Sequence, residues 1–172
     1  MTLSLYDISI PNYLQILGST INVLNKGAEY AEENSLDLAQ LLETKLCPDM
    51  QSLKFQLLSV AHHSLGAIKG IKQGVFSPPP AITDIDYKSM QGLLKDTLEQ
   101  IQTITEDEIN QLSGKAMKFQ MGDFEMPFVA ENFIQSFSMP NFYFHAATTY
   151  DILRMIGVPL GKEDFLGNMR MG

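Results

Sequence analysis

The segment PNFYFHAATTYDILR, at residues 140–154, decides our prediction of the fold and supplies the main candidate for a site. Pro140 is a favoured first residue of a helix, and Gly157 is a typical residue at the end of one. Apolar and small residues recur between them at every third or fourth position, namely Phe142, Ala146, Thr149, Leu153 and Ile156. This spacing predicts an amphipathic helix with one face packed into a core.

The histidine of this helix, His145, is the first candidate residue. At ~100° per residue it lies about 50° from the centre of the apolar stripe, so we expect its ring to point inwards beside Ile152. Such a ring could carry a proton or hold a ligand; equally, it could be a core histidine whose nitrogens bond to Thr149 or to a tyrosine hydroxyl. If the site is catalytic, Thr149, Tyr143 or Tyr150 would orient the ring or a substrate, with both tyrosines at the edge of the stripe.

Helical spacing also recurs upstream of this segment. Ser35 is predicted to cap a shorter helix at residues 36–46, and residues 105–112 predict a short helical turn with an acidic start. Three further long helices are predicted at residues 11–34, 47–74 and 86–104. Residues 117–128 alternate in polarity about a Gly122-Asp123 turn, which predicts a small β-hairpin. Since no repeat or linker interrupts the chain, we expect a single domain over residues 1–172, of the all-α class: a four-helix bundle with a hairpin inserted before the last helix.

Two glycines, Gly18 and Gly27, lie inside the first predicted helix. Glycine weakens a helix by about 1 kcal/mol relative to alanine. Its presence at these positions indicates that another element approaches the backbone closely there.

The second long helix carries the adjacent pair His62 and His63. Neighbouring residues on a helix cannot face one point. Both lie more than about 100° from the centre of the apolar stripe, so we expect them to flank or leave the core and not to meet His145. That stripe comprises Met50, Leu53, Leu57, Ala61, Ser64, Ile68 and Ile71. Because a catalytic metal generally needs about three protein ligands, no metal is expected; if one binds, His145 with His62 or His63 would hold it.

The composition excludes several classes of function. The net charge of −8 argues against a nucleic-acid partner or an anionic membrane surface. With Cys47 as the only cysteine, no intramolecular disulfide can form, which favours a reducing, cytoplasmic location. No apolar run approaches the roughly 18 residues that span a membrane. Glycine-rich phosphate loops, nucleophile elbows and HExxH pairs do not occur, which argues against nucleotide-dependent enzymes, serine hydrolases and zincin peptidases.

Four short motifs resemble a family of uncharacterised proteins in the superfamily of DinB/YfiT-like metalloenzymes. They are PDM at 48–50, PNFYFH at 140–145, YDILR at 150–154 and GVPLGKEDFLG at 157–167. The resemblance implies an up-and-down four-helix bundle that is often dimeric. Typical ligands in the superfamily, which includes metal-dependent thiol transferases and isomerases, are one histidine on the second long helix and two histidines four residues apart on the last. His145 matches one of the latter, whereas Thr149 stands where its partner would be.

Two hypotheses of different classes follow. The first is a metal-free bundle that forms a homodimer and binds a small apolar ligand or a partner; a group of adaptable methionines near the hairpin suits such a surface. These are Met117, Met121, Met126 and Met139. The alternative is a small-molecule transferase or isomerase that uses His145 with a divalent metal (zinc, nickel or iron) or as a general base.

Overall fold

The computed structural model describes residues 3–79 and 84–171. The proline-rich segment at residues 77–84, for which the sequence predicts a stiff connector, lies partly outside the described residues. The protein is mostly helical, as predicted, and carries a small three-stranded sheet where the sequence predicted only a hairpin. Among the described residues, no helix is both long and apolar enough to cross a bilayer.

The helical elements follow the chain in the predicted order. They are α1 (Ile10–Glu33), α2 (Leu38–Glu43), α3 (Leu53–Ala61), the π-helical turn π1 (His62–Gly66), α4 (Ala67–Gln73), α5 (Tyr87–Gln102), α6 (Glu106–Asn110), α7 (Ala130–Phe133), the π-helical turn π2 (Ile134–Ser138), α8 (Met139–Met155) and α9 (Lys162–Leu166). Helix α1 packs against α5 and α8, and α3 also packs against both of these helices. The core between them includes the fully buried rings of Tyr13, Phe133 and Phe142. Burial of these rings holds the four helices together.

The sheet contains strands β1 (Val75–Phe76), β2 (Ala116–Met121) and β3 (Phe124–Val129), in that order. Strands β2 and β3 pair antiparallel, with Met121 opposite Phe124 across the turn. Gly122 in this turn has a φ of 59°, which glycine adopts without strain. Strand β1 pairs in parallel with β2 and was not predicted, because two residues are too short to show an alternating pattern.

Three predicted helix starts are wrong by several residues. Ser35 does not cap α2: its φ is 54°, and the side chain of Asp37 instead accepts the N–H of Ala39 at 2.8 Å. The second long helix starts at Leu53 and not at Pro48, because the preceding residues form a turn in which the N–H of Met50 bonds to the carbonyl of Cys47. The last helical run begins at Ala130, well before Pro140, and passes through π2 into α8.

The two π-helical turns have wider backbone turns than the α-helices that flank them. Turn π1 lies between α3 and α4, and π2 lies directly before α8. Such turns are rare and are frequently found at functional sites. Their positions place His63 and Ser138 in irregular backbone within otherwise regular helices.

We predict opposite outcomes for alanine at the two glycines of α1. A Cβ at Gly27 would lie 2.7 Å from the hydroxyl of Tyr87, whereas a Cβ at Gly18 would meet nothing within 4 Å. Gly27→Ala should therefore destabilise the protein by about 1–3 kcal/mol through overpacking. Gly18→Ala should stabilise it by up to about 1 kcal/mol through helix propensity. Urea unfolding of both variants measures the difference, and equal effects would contradict the close approach at Gly27.

Candidate functional site

His145 points inwards from α8 towards α3, as predicted, and is only 8% exposed. Its Nδ1 lies 2.7 Å from Oε1 of Gln56. The amide nitrogen of Gln56 donates to the carbonyl of Gln51 at 3.1 Å, so the oxygen of that amide is the atom that faces His145. Because an amide oxygen only accepts, Nδ1 of His145 must carry the proton. The tautomer is thereby fixed, and Nε2 keeps its lone pair.

The expected partners of this ring were wrong. The hydroxyl of Thr149 donates to the carbonyl of His145 itself at 2.9 Å, a bond within the helix that threonine often makes. Tyr150 donates to the carbonyl of Leu160 at 3.5 Å, and Tyr143 lies at the surface, 38% exposed. Neither tyrosine therefore orients the imidazole, because both project from other sides of α8.

The ring of His63 stacks on that of His145, with 5.6 Å between their centroids and 22° between their planes. The expectation that His63 would not meet His145 was wrong. The buried sector of the second long helix is wider than its apolar stripe, because α5 and α8 both pack on it. Its polar part faces α8 and includes Gln56, which lies about two helical turns before His63 and therefore on nearly the same face. The spacing of about two helical turns between Gln56 and His63 is the feature of the sequence that predicts that both residues face α8.

Phenylalanine rings surround the His63–His145 pair. The rings of Phe55 and Phe144 meet His145 edge-on, with centroids 5.9 and 5.3 Å away, and those of Phe76 and Phe137 lie 5.4 and 5.9 Å from His63. Phe55 and Phe144 are 39% and 54% exposed, so they mark the solvent side of the pair. The histidine rings thus lie in an apolar niche of four phenylalanine rings, two of which are exposed to solvent.

This apolar niche keeps both histidines neutral. Burial, with smaller contributions from His145 and His62, lowers the pKa of His63 to about 3. Burial also lowers the pKa of His145 to about 4. Nδ1 of His63 is a buried nitrogen with no hydrogen-bond partner in the described part of the chain. An unpaired buried polar atom is unfavourable for stability.

His62 serves a different purpose from His63. Its Nε2 lies 2.8 Å from the carbonyl of Ser77, and its ring stacks on Phe76 with centroids 4.3 Å apart. The carbonyl can only accept, so Nε2 of His62 carries the proton. His62 therefore ties π1 to the chain after β1 and is not a member of the pair.

The donor set does not fit the metal centre that the resemblance to DinB/YfiT-like metalloenzymes implies. Two imidazoles, those of His63 and His145, face each other. Thr149, at the position of the third ligand, directs its hydroxyl to the backbone. Within residues 3–79 and 84–171, no group of three or more histidine, cysteine, aspartate or glutamate side chains is placed to hold an ion. A catalytic metal generally takes about three protein ligands, so the residues present fall short of one.

The lowered pKa values predict a stability that declines in weak acid. Because the folded-state pKa values of about 3 and 4 lie below the ordinary 6.5, the unfolded chain binds more protons as the pH falls through 6.5. The free energy of unfolding should therefore decrease between about pH 6.5 and 5. The carboxylates with lowered pKa values have ordinary values of 3.8 and 4.5, so they titrate below this window. Urea unfolding across the window measures the slope.

His63→Phe tests which residue causes that slope. It keeps an aromatic ring and removes the unpaired nitrogen, so we expect a flatter pH dependence and a gain of about 1 kcal/mol at neutral pH. His62→Phe is the matched control, and it should lose stability at neutral pH because it breaks the bond to the Ser77 carbonyl. A His63→Phe variant that is destabilised and keeps the full slope would contradict the assignment.

Comparison with known proteins identifies the family. The model of a domain of unknown function, DUF1993, matches residues 5–166. A solved structure, that of a DinB family member protein from Shewanella denitrificans, has a TM-score of 0.82 and 21% identity, and the match covers 98% of this chain and 94% of that one. At this identity the likeness shows the fold alone. None of the curated proteins matches. The chain therefore belongs to the DUF1993 family, and its fold is similar to that of a DinB family member.

Proposed function

We propose that this protein is a metal-free DinB-like bundle that binds a small, largely apolar ligand at the His63–His145 pair. The observation that carries the proposal is the pair itself: two stacked imidazoles with low pKa values in a niche of phenylalanine rings. Neutral histidines among aromatic side chains suit a ligand with an apolar body, since no charge has to be matched.

The fixed tautomer of His145 adds one polar requirement to the ligand. Gln56 holds the proton on Nδ1, so Nε2 is a hydrogen-bond acceptor. A ligand that complements it has a hydroxyl or N–H group as donor. The half-exposed rings of Phe55 and Phe144 would contact an aromatic body of that ligand on the solvent side. The class we propose is therefore a planar aromatic molecule with one hydrogen-bond donor, such as a phenol.

The alternative, a histidine-based transferase or isomerase, is less well supported by the same geometry. A general base works best when its pKa lies near the operating pH. Burial lowers the pKa of His145 to about 4, which makes it a weak base at neutral pH. Among the described residues, the ring of His145 donates its hydrogen bond to an amide oxygen and not to a carboxylate that would raise that pKa. A divalent zinc, nickel or iron ion would find only the two imidazoles as protein ligands among the described residues.

The proposal takes the four long helices as the up-and-down bundle of the DinB type, which the similarity of the solved structure supports. A cytoplasmic location is part of the same proposal, on the ground of the single cysteine, Cys47. Neither assignment is needed for ligand binding at the His63–His145 pair.

The ligand proposal is tested by thermal shift with p-cresol and toluene, two probes that differ by one hydroxyl group. At ten times its dissociation constant, a ligand adds about 1.4 kcal/mol to the stability of the folded state, or roughly 3–6 °C in the melting temperature. We expect p-cresol to give the larger shift in the wild type, because its hydroxyl donates to Nε2 of His145. In His145→Phe the two probes should become equal.

His62→Phe is the matched control for that experiment, and it should keep the preference for p-cresol. Equal shifts in the wild type, or a preference that survives His145→Phe, would contradict the proposal. Elemental analysis of protein purified without chelator or metal-affinity resin tests the metal-free state. Stoichiometric zinc, nickel or iron that disappears in His145→Ala would favour the metalloenzyme instead.

We further propose a homodimer, which the family resemblance implies. The exposed cross-strand pair Met121 and Phe124, at 56% and 53% exposure, offers apolar area at the end of the hairpin. Sedimentation velocity should show a dimer for the wild type and a monomer for Phe124→Asp. A monomeric wild type at micromolar concentration would remove this part of the proposal, and a dimeric Phe124→Asp would move the interface elsewhere.

A further inference from the structure

A buried chain of hydrogen bonds connects three helical elements behind the His63–His145 pair. The hydroxyl of Ser138, the last residue of π2, lies 2.6 Å from the carbonyl of His63 in π1. The hydroxyl of Tyr13, in α1, lies 2.8 Å from the hydroxyl of Ser138. Both Tyr13 and Ser138 are fully buried.

The direction of these bonds follows from the count of hydrogen atoms. Ser138 has one hydroxyl hydrogen, and the carbonyl of His63 can only accept, so Ser138 donates to His63. Tyr13 must then donate to Ser138. The ring of Tyr13 is itself held by an edge-on contact with Phe142, with centroids 5.0 Å apart. The chain therefore runs from a rigid ring in the core to the backbone of the residue whose imidazole stacks on His145.

The bond from Ser138 reaches the irregular part of the second long helix, the turn π1. A π-helical turn departs from the regular α-helical hydrogen bonds, and a side-chain hydroxyl can satisfy a backbone carbonyl in it. Within π1, Ser64 satisfies the carbonyl of Val60 in this way, at 2.7 Å. Ser138 does the same for His63 from a neighbouring element. Holding the carbonyl of His63 fixes its peptide plane, and with it the direction of its Cα–Cβ bond.

We infer that Ser138, supported by Tyr13, is a positioning residue for His63, and that its hydroxyl keeps π1 in the register that stacks His63 on His145. The inference rests on the proposed function in treating that pair as the site. It concerns the free protein, however, and its test needs no ligand.

The test is the titration of the imidazole signals by NMR between about pH 5 and 8, in the wild type and in Ser138→Ala. In the wild type, His63 should remain neutral throughout, because its niche is apolar. In Ser138→Ala we expect its ring to leave the niche and to titrate within this pH range, because the pKa of a solvated imidazole lies near the ordinary value of about 6.5. Ser138→Thr restores the hydroxyl, so His63 should again remain neutral throughout the titration.

Thr20→Ala is the matched control, since Thr20 is a buried residue whose hydroxyl also donates to a backbone carbonyl, that of Ile16 at 2.8 Å. Thr20→Ala should lower the melting temperature, while His63 should remain neutral throughout the titration. If Ser138→Ala behaves like Thr20→Ala, its hydroxyl only stabilises the fold and the inference is overturned. Should Ser138→Ala fail to fold, Tyr13→Phe keeps the ring and removes the supporting donor. His63 signals that begin to titrate at the acidic end of the same pH range support the inference, and signals that do not shift overturn it.

These outcomes separate the inference from the proposed function. A shift of the His63 titration in Ser138→Ala supports the positioning role even if p-cresol and toluene bind the wild type equally. If the wild type prefers p-cresol but His63 does not titrate in Ser138→Ala, the ligand site is supported and the role of Ser138 is overturned.

Discussion

The hydrogen bond between His145 and Gln56 is the interaction on which the candidate site depends. It crosses from α8 to α3, it is buried, and it sets both the tautomer and the orientation of the imidazole. Because the amide of Gln56 is itself held by the carbonyl of Gln51, the pairing cannot reverse without loss of a second bond. The carbonyl of Gln51, in the loop before α3, therefore decides indirectly that Nε2 of His145 is the nitrogen with the free lone pair.

The phenylalanine rings around the pair define the chemistry that the two histidines can perform. Rings at 5.3–5.9 Å remove water from the imidazoles, and the neutral form is favoured on both. A charged imidazole in this niche would lack a counter-ion, since no ion pair in the described residues involves a histidine. The unpaired nitrogen of His63 lowers the free energy of unfolding, and apolar burial in the rest of the helical core offsets this loss.

The sequence predicted the features that have strong local signals. Helical spacing indicated the long helices, and Gly74 ends the second of them with a φ of 82°, as a left-handed cap requires. The inward direction of His145 also followed from its position on the stripe. What spacing could not give is the identity of contacts between helices. Gln56 and His63 belong to a polar part of a buried sector, which a search for apolar residues overlooks. The π-helical turns were not predicted either, since they depend on tertiary hydrogen bonds such as that of Ser138.

The parallel pairing of β1 with β2 has a consequence for the order in which the molecule assembles. Phe76, on β1, covers both His62 and His63, and it stands opposite Phe119 on β2. These strands are far apart along the chain, with α5 and α6 between them, so a long loop must close before they pair. Contacts of this kind form late, after helices and the local hairpin. Phe76 would therefore cover the rings of His62 and His63 only at this late step.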